Sequence, residues 1–433
     1  MSSSVWSRTR RVLCCVGLTG AVITAETATT SLEWRHLGCV AGINGLAEAF
    51  TNGHQQSLGV LNGFDEPKVI PIDDTRDILL LQDGYIDSDL DGGTYDYLDY
   101  RHNSLVVADY QTDGTICLTL AGSPGSTPGD FELGDGSQFV RNESYLWPLH
   151  GTISTDGKLN IFWQYMERSQ GLIEGTDDGN DGVVRSPRAV YLATYNPETL
   201  QRESWNLAPD PDIRPMFGVT VVDDNPNGFT YLFGNAVDRN LRESGGFDNG
   251  PHPSTSTYVA RVALGQLGDL PEYWNGETWT GDQDSAAVIN QRGWTEHIMA
   301  PVLIDGQWIS VTKGNGWWVT GLSNSVPAEA AALDLQLIIE TADNPQGPWT
   351  QVFSETYIPT LGANSETVFG LGHYQNSYGP IIWARHSTAD ELTIIISQNA
   401  WDWRTATNHA SEAAWYWPAI TTINIAETGD EPA

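Results

Sequence analysis

Asp65 and Asp83 are the residues whose type and spacing first suggest chemistry. They flank two short β-rich runs, Val69-Ile70-Pro71-Ile72 and Ile78-Leu79-Leu80-Leu81. The polar turn between the runs, Asp73-Asp74-Thr75-Arg76-Asp77, predicts a hairpin. With that turn centred on Asp74, facing residues have numbers summing to about 148. Asp65 then stands across from Asp83 at the open end, with β-carbons roughly 5 Å apart. Like charges so placed destabilise a hairpin, and paired carboxylates are what hydrolysis of a glycosidic bond uses. The structural alternative is two unrelated acids in solvated loops.

Other polar residues sit where apolar runs begin or end. His102 and Asn103 precede Leu105-Val106-Val107, and Trp147-Pro148-Leu149-His150-Gly151 opens a second unit. Asn235 follows Tyr231-Leu232-Phe233-Gly234, and Arg385-His386 follows Ile381-Ile382-Trp383-Ala384. Each alone reads as a satisfied structural group. Their recurrence at similar places makes one shared cleft the expectation, with His102, Asn103, Trp147, His150, Asn235, Arg385 and His386 as substrate-binding candidates. Asp87, Asp89 and Asp91 alternate in an acidic loop that matches the first half of a calcium loop. Its twelfth position is Leu98 rather than Glu, so an EF-hand is excluded. No cofactor is required on this reading; a structural calcium on those three carboxylates is the one ion to consider. Nucleophile-elbow, phosphate-loop and dinucleotide motifs are absent.

The elements that must position these residues are strands. Paired apolar segments recur at 69–72 with 78–83, 149–153 with 158–165, 218–222 with 229–234, 300–304 with 307–312 and 380–385 with 391–397. Their turns are rich in Asp, Asn and Gly. Outer strands are expected at 105–108, 116–120, 189–195, 258–263 and 335–341. Five such units predict an all-β, five-bladed β-propeller over 64–426, with a closing strand at Thr421–Ile425. A β-sandwich is the alternative. Ala328–Leu333 is the one helix-like patch.

The chain has 433 residues, with 21 Lys and Arg against 55 Asp and Glu, a formal charge of −34. That charge opposes nucleic acid and anionic membranes as partners and suits a neutral or basic ligand. The 17 Trp and 16 Tyr supply both core and sugar-stacking faces. Arg8, Arg10 and Arg11 ahead of Val12–Ala25 read as a signal peptide over 1–25, hence a secreted or periplasmic protein. An entry segment follows at 26–63, and 427–433 reads as a frayed tail. No later stretch is apolar enough to span a membrane, and a monomer is expected. Cys39 and Cys117 either pair in an oxidising compartment or stay as buried thiols.

Several segments, in order, resemble a bacterial family of secreted five-bladed propellers. They are Leu80-Leu81-Gln82-Asp83-Gly84-Tyr85, His102-Asn103-Ser104, Tyr145–Gly151 with Asp156-Gly157-Lys158-Leu159, Tyr231–Gly234, Tyr258–Val262, Glu272–Gly276 and Gly347-Pro348-Trp349. That family was long described only as a domain of unknown function. It includes endo-D-arabinanases and is similar in architecture to arabinanase and levansucrase furanosidases. The resemblance covers roughly residues 60 to 400. It implies a glycoside hydrolase acting on a furanose-containing polysaccharide, with its paired acids on the first blade at Asp65 and Asp83. The family usually has Gly-Asp-Thr-Phe where this chain has Gln82-Asp83-Gly84-Tyr85; the Asp is kept and its neighbours are not. A non-catalytic carbohydrate-binding or surface-interaction propeller is the alternative.

Overall fold

The structure is a computed structural model. It describes residues 33–51, 61–87, 98–122, 131–132, 144–170, 183–211, 215–223, 226–236, 255–292, 299–313, 317–319, 336–357, 374–401 and 418–426. The expected signal peptide, the frayed tail and the helix-like patch at Ala328–Leu333 lie outside these residues.

The first blade opens with β1 (Glu33–Ala41) and helix α1 (Gly42–Thr51). It continues with β2 (Leu61–Asp73), β3 (Arg76–Asp87), β4 (Leu98–Tyr110) and β5 (Thr115–Gly122). Its sheet runs β2-β3-β4-β5-β1 from the axis outward, so β1 adds a fifth strand to the rim. Cys39 and Cys117 lie directly opposite each other on β1 and β5 and are joined as a disulfide. Within the stretch expected as an entry segment, Glu33–Ala41 is therefore built into the first blade.

Blade two is β6 (Ser144–Ile153), β7 (Leu159–Gln170), β8 (Val183–Tyr195) and β9 (Arg202–Leu207). Blade three is β10 (Met216–Val222), β11 (Phe229–Ala236), β12 (Thr255–Ala263), β13 (Glu272–Trp274) and β14 (Trp279–Thr280), with β15 (Asn290–Arg292) on the flank of β12. Blade four starts with β16 (Ala300–Ile304) and β17 (Gln307–Lys313). The chain then lends β18 (Trp317–Val319) to the last blade before returning for β19 (Gln336–Ala342) and β20 (Thr350–Thr356). Blade five is completed by β21 (Tyr374–Ile382), β22 (Glu391–Trp401) and β23 (Ala419–Asn424). The chain is a five-bladed β-propeller, each hairpin falling where paired apolar runs predict it. Residues 384–386 form a 3-10 turn rather than the end of a strand.

The core is five seams between neighbouring blades. Leu79 and Leu81 of β3 pack on Ile381, Trp383 and Ile395 of blade five, whereas Ile78 and Leu80 pack on Leu146, Ile161 and Trp163 of blade two. A strand covered on both faces reads as an unbroken apolar run, which is why Ile78–Leu81 shows no alternation. The helix α1 buries Leu46, Ala49 and Phe50, spaced for one helical face, in the seam between blades five and one.

Four of the five axial strands carry a β-bulge at a similar height. The register slips between Asp65 and Lys68 in β2, Pro148 and Gly151 in β6, Phe217 and Thr220 in β10, and Tyr378 and Ile381 in β21. Bulges bend a strand and re-aim its side chains, here around the axis. Gly151 is fixed by this geometry: a Cβ there would lie 2.2 Å from the carbonyl oxygen of Asn160.

Candidate active site

The hairpin β2–β3 holds both acids. Below the bulge its register follows a sum of 148, with Lys68 opposite Leu80 and Ile70 opposite Ile78. The extra residue at Glu66-Pro67 shifts the pairing above it, so Asp65 stands opposite Gln82. This corrects the expectation of a direct Asp65–Asp83 pairing: Asp83 is the next residue along. Glu66 and Asp83 both adopt positive φ, 35° and 43°, in the left-handed region that non-glycine residues rarely enter. Two such residues beside paired acids mark the kind of strained backbone found at functional sites.

The two carboxyl groups are held from opposite sides. Asp65, 7 % exposed, accepts from the Tyr378 hydroxyl of blade five and from the Glu66 backbone N–H at 2.8 Å. Burial raises its pKa well above the ordinary carboxylate value. The Glu66 and Asp83 charges push in the same direction, outweighing the opposing hydrogen bonds. Asp83, 6 % exposed, accepts from Trp147 Nε1 of blade two at 2.8 Å. His102 Nδ1 lies 3.5 Å from the same oxygen, and its ring stacks on Tyr145 with centroids 3.9 Å apart. Lys68 pairs with Glu66 at 3.5 Å.

Both acids open onto a cavity of about 500 Å³ along the propeller axis. Trp147, His150 and Asn235 also line it, so the structure brings these three together with the acid pair. His150 Nδ1 donates to the Gly151 carbonyl, 2.9 Å away. Its pKa falls to about 4, first because of burial and then because of the nearby Lys68 charge. Asn235 is buried, and its Oδ1 has no hydrogen-bond partner among the described residues.

Three sequence candidates sit elsewhere. Asn103 is fully enclosed: its Nδ2 donates to the carbonyls of Leu146 and Glu132, and its Oδ1 accepts from the Glu132 N–H. It ties blade one to blade two rather than facing a ligand. Arg385 reaches the far end of the cavity, where it forms a two-pronged ion pair with buried Asp77. It also donates to the carbonyls of Asp73 and Asp74. Asp77 lies six residues before Asp83 on β3, about 20 Å along a strand. His386 stands beside Tyr110 and Trp383 at that same end, and burial lowers its pKa. Neither residue is brought to the acid pair.

Tyr378, Gln82, Gln164 and Lys68 line the cavity too and were not among the candidates. A signal for Tyr378 exists. Trp147-Pro148, Phe217-Gly218 and Tyr378-Gly379 are each an aromatic followed by Pro or Gly, at the bulge of an axial strand. For the acidic loop, Asp89, Asp91 and the side chain of Asp87 lie outside the described residues. Among the described residues no cluster of His, Cys, Asp and Glu could hold a metal ion.

Chemically, the site offers a buried acid whose pKa burial raises, a second acid from the same hairpin, aromatic faces and neutral amides. Among the described residues, the Lys and Arg that line it are already engaged, Lys68 by Glu66 and Arg385 by Asp77.

No curated protein sequence matches the chain. Among solved structures it is similar to a candidate hydrolase from Bacteroides ovatus, at 16% identity and a TM-score of 0.59, covering 90% of this chain and 92% of that one. It also aligns with an inulosucrase from Halalkalicoccus jeotgali bound to kestose (12% identity, 92% and 91% covered, TM-score 0.47). A third alignment is with a GH43_1 enzyme from Xanthomonas citri complexed with xylotriose (11% identity, 83% and 86% covered, TM-score 0.41). At these identities the likeness is one of fold. The model of one family, described as "Domain of unknown function (DUF5005)", matches residues 49–425, and the chain belongs to that family.

Proposed function

We propose that the protein is a glycoside hydrolase acting on a neutral, furanose-containing polysaccharide. The observation that carries this reading is the buried Asp65 carboxyl, its pKa raised by burial, lining an axial cavity together with Asp83. Asp65 is the proton donor: it passes its proton to the glycosidic oxygen as the bond from that oxygen to the anomeric carbon breaks. Asp83 answers the positive charge that develops on the sugar. It does so either by attacking the anomeric carbon or by taking a proton from the attacking water. Trp147 orients Asp83 through its Nε1 hydrogen bond and offers an aromatic face beside it. The furanose preference follows from the motif resemblance noted above, and the disulfide fits an exported protein.

The test is release of reducing ends from a panel of neutral polysaccharides that includes arabinan. The wild type should cleave at least one of them, and Asp65→Asn and Asp83→Asn should each lose about 10²- to 10⁴-fold in kcat. A wild type inactive on the whole panel, or either variant keeping most of its turnover while folded, overturns the reading.

A further inference from the structure

Three side-chain amides from three consecutive blades line the cavity at the level of the axial bulges. Gln82 of β3 pairs with Asp65, Gln164 of β7 pairs with Trp147, and Asn235 of β11 pairs with Met216. Each lies on the second strand of its blade, at the bulge or one rung outside it, and all three line the cavity. We propose that Gln82, Gln164 and Asn235 form a neutral recognition wall that takes adjacent hydroxyls of an uncharged sugar and rejects anionic ones. This rests on the reading of the cavity as a carbohydrate site and assigns its specificity.

The chemistry of the wall decides the class of ligand. An amide presents two donors and an acceptor with no net charge, which matches hydroxyl groups that both give and receive hydrogen bonds. The Asn235 Oδ1 is the sharpest sign. It is buried and has no hydrogen-bond partner among the described residues, in a side chain that lines the cavity. A buried acceptor left so is costly unless a ligand donor fills it. The last blade gives the contrast: Gln398 of β22, opposite Ser377, donates to the Tyr357 hydroxyl and is not part of the cavity lining.

An anionic sugar would need a cation to receive it. Lys68 is paired with Glu66, Arg385 is locked to Asp77 at the far end, and His150 stays neutral at physiological pH. Asp83 would repel a carboxylate entering the same cavity, and the Lys68–Glu66 pair has no net charge to attract one. The wall therefore reads hydroxyls and the acids repel negative charge.

The experiment is a tryptophan-fluorescence titration of the full chain carrying Asp65→Asn, with arabinotriose, xylotriose, kestose and trigalacturonic acid as probes. At least one neutral trisaccharide should bind, and trigalacturonic acid should bind at least tenfold more weakly. In that background Gln164→Leu and Asn235→Leu should each weaken the neutral probe by roughly tenfold or more. Asn235→Leu should also hold or raise the melting temperature, because it removes an unfilled buried acceptor; a purely structural Asn would make it fall. Unchanged affinity in both Leu variants, equal binding of the anionic probe, or no neutral probe bound would overturn the proposal. Binding without hydrolysis in the wild type would sink the hydrolase reading and leave this one standing. Hydrolysis with unaltered affinity in the amide variants would do the reverse.

Discussion

Tyr378 of the last blade donates its hydroxyl to Asp65 of the first, across the seam where the ring closes. Asp83, next to the residue that faces Asp65, is instead held by Trp147 of the second blade. The acid pair thus belongs to one hairpin but takes its environment from both neighbouring blades. The desolvation that holds the proton on Asp65 is a property of the assembled ring, not of β2 alone.

Asp65→Asn should trade activity for stability. In the folded protein Asp65 holds its proton above its ordinary pKa of 3.8, so the native state binds more protons than the unfolded chain. Stability is then lost as pH rises from about 4 through the raised value. The Asn amide carries no charge to desolvate. It can keep the Glu66 N–H on its oxygen and donate to the Tyr378 oxygen. Urea denaturation at pH 8 should show the variant at least as stable as the wild type, with the gap closing toward pH 4. A variant clearly less stable at pH 8 would mean the acid is a structural anchor.

Trp147→Phe keeps an aromatic face but removes the donor to Asp83. A hydrogen bond to a charged group contributes about 1.5–3 kcal/mol, so kcat should fall roughly ten- to a hundredfold if that bond orients the reacting carboxylate. KM and the melting temperature should move much less. An equal loss in KM alone would place the role of Trp147 in ligand stacking.

His150 predicts an acid limb in the stability curve. Its pKa is about 4 in the folded protein against an ordinary 6.5. Between these values the unfolded chain binds the extra proton, so the contribution is complete above about pH 6.5 and is lost as pH falls toward 4. The span corresponds to at most about 3 kcal/mol. Chemical denaturation from pH 7.5 to 4 should show this decline, and His150→Gln should flatten it. Identical slopes for the two proteins would exclude His150 as the source.

Arg385→Met tests the far end of the cavity. Asp77 is fully buried and, among the described residues, would keep only the Trp383 indole N–H and the Tyr110 hydroxyl as side-chain donors. Breaking a buried pair from one side costs about 3–5 kcal/mol, and the remaining donors favour the lower figure. The melting temperature should drop clearly, while kcat of the protein still folded at low temperature should stay near that of the wild type. Were Arg385 a substrate ligand, activity would fall with stability intact.

The repeat of hairpins was legible because each blade must bury apolar strands on both sides, and Ile78–Leu81 shows that directly. Asp65 and Asp83 could be placed at one end of β2–β3 because register propagates along a hairpin from its turn. The bulge at Glu66-Pro67 could not be read, since an extra residue leaves the hydrophobic pattern below it unchanged. Helix α1 was missed because only Leu46, Ala49 and Phe50 declare its buried face, too few for a period to emerge. Asn103 and Arg385 look like ligand residues in sequence, but polar groups at strand ends serve equally to tie one blade to the next. Tyr378 was invisible as a partner of Asp65 because 313 residues separate them.

That separation has a temporal side. A ribosome finishes Asp65 and Asp83 early, yet the hydroxyl that binds Asp65 and the guanidinium that grips the other end of the same hairpin are made more than 300 residues later. Until blade five is in place, the hydroxyl that meets Asp65 and the apolar residues that close the seam beside it are missing. On the proposed reading, catalytic competence therefore waits for the final blade, because a chain interrupted before Tyr378 lacks both the donor to Asp65 and the seam that packs beside it.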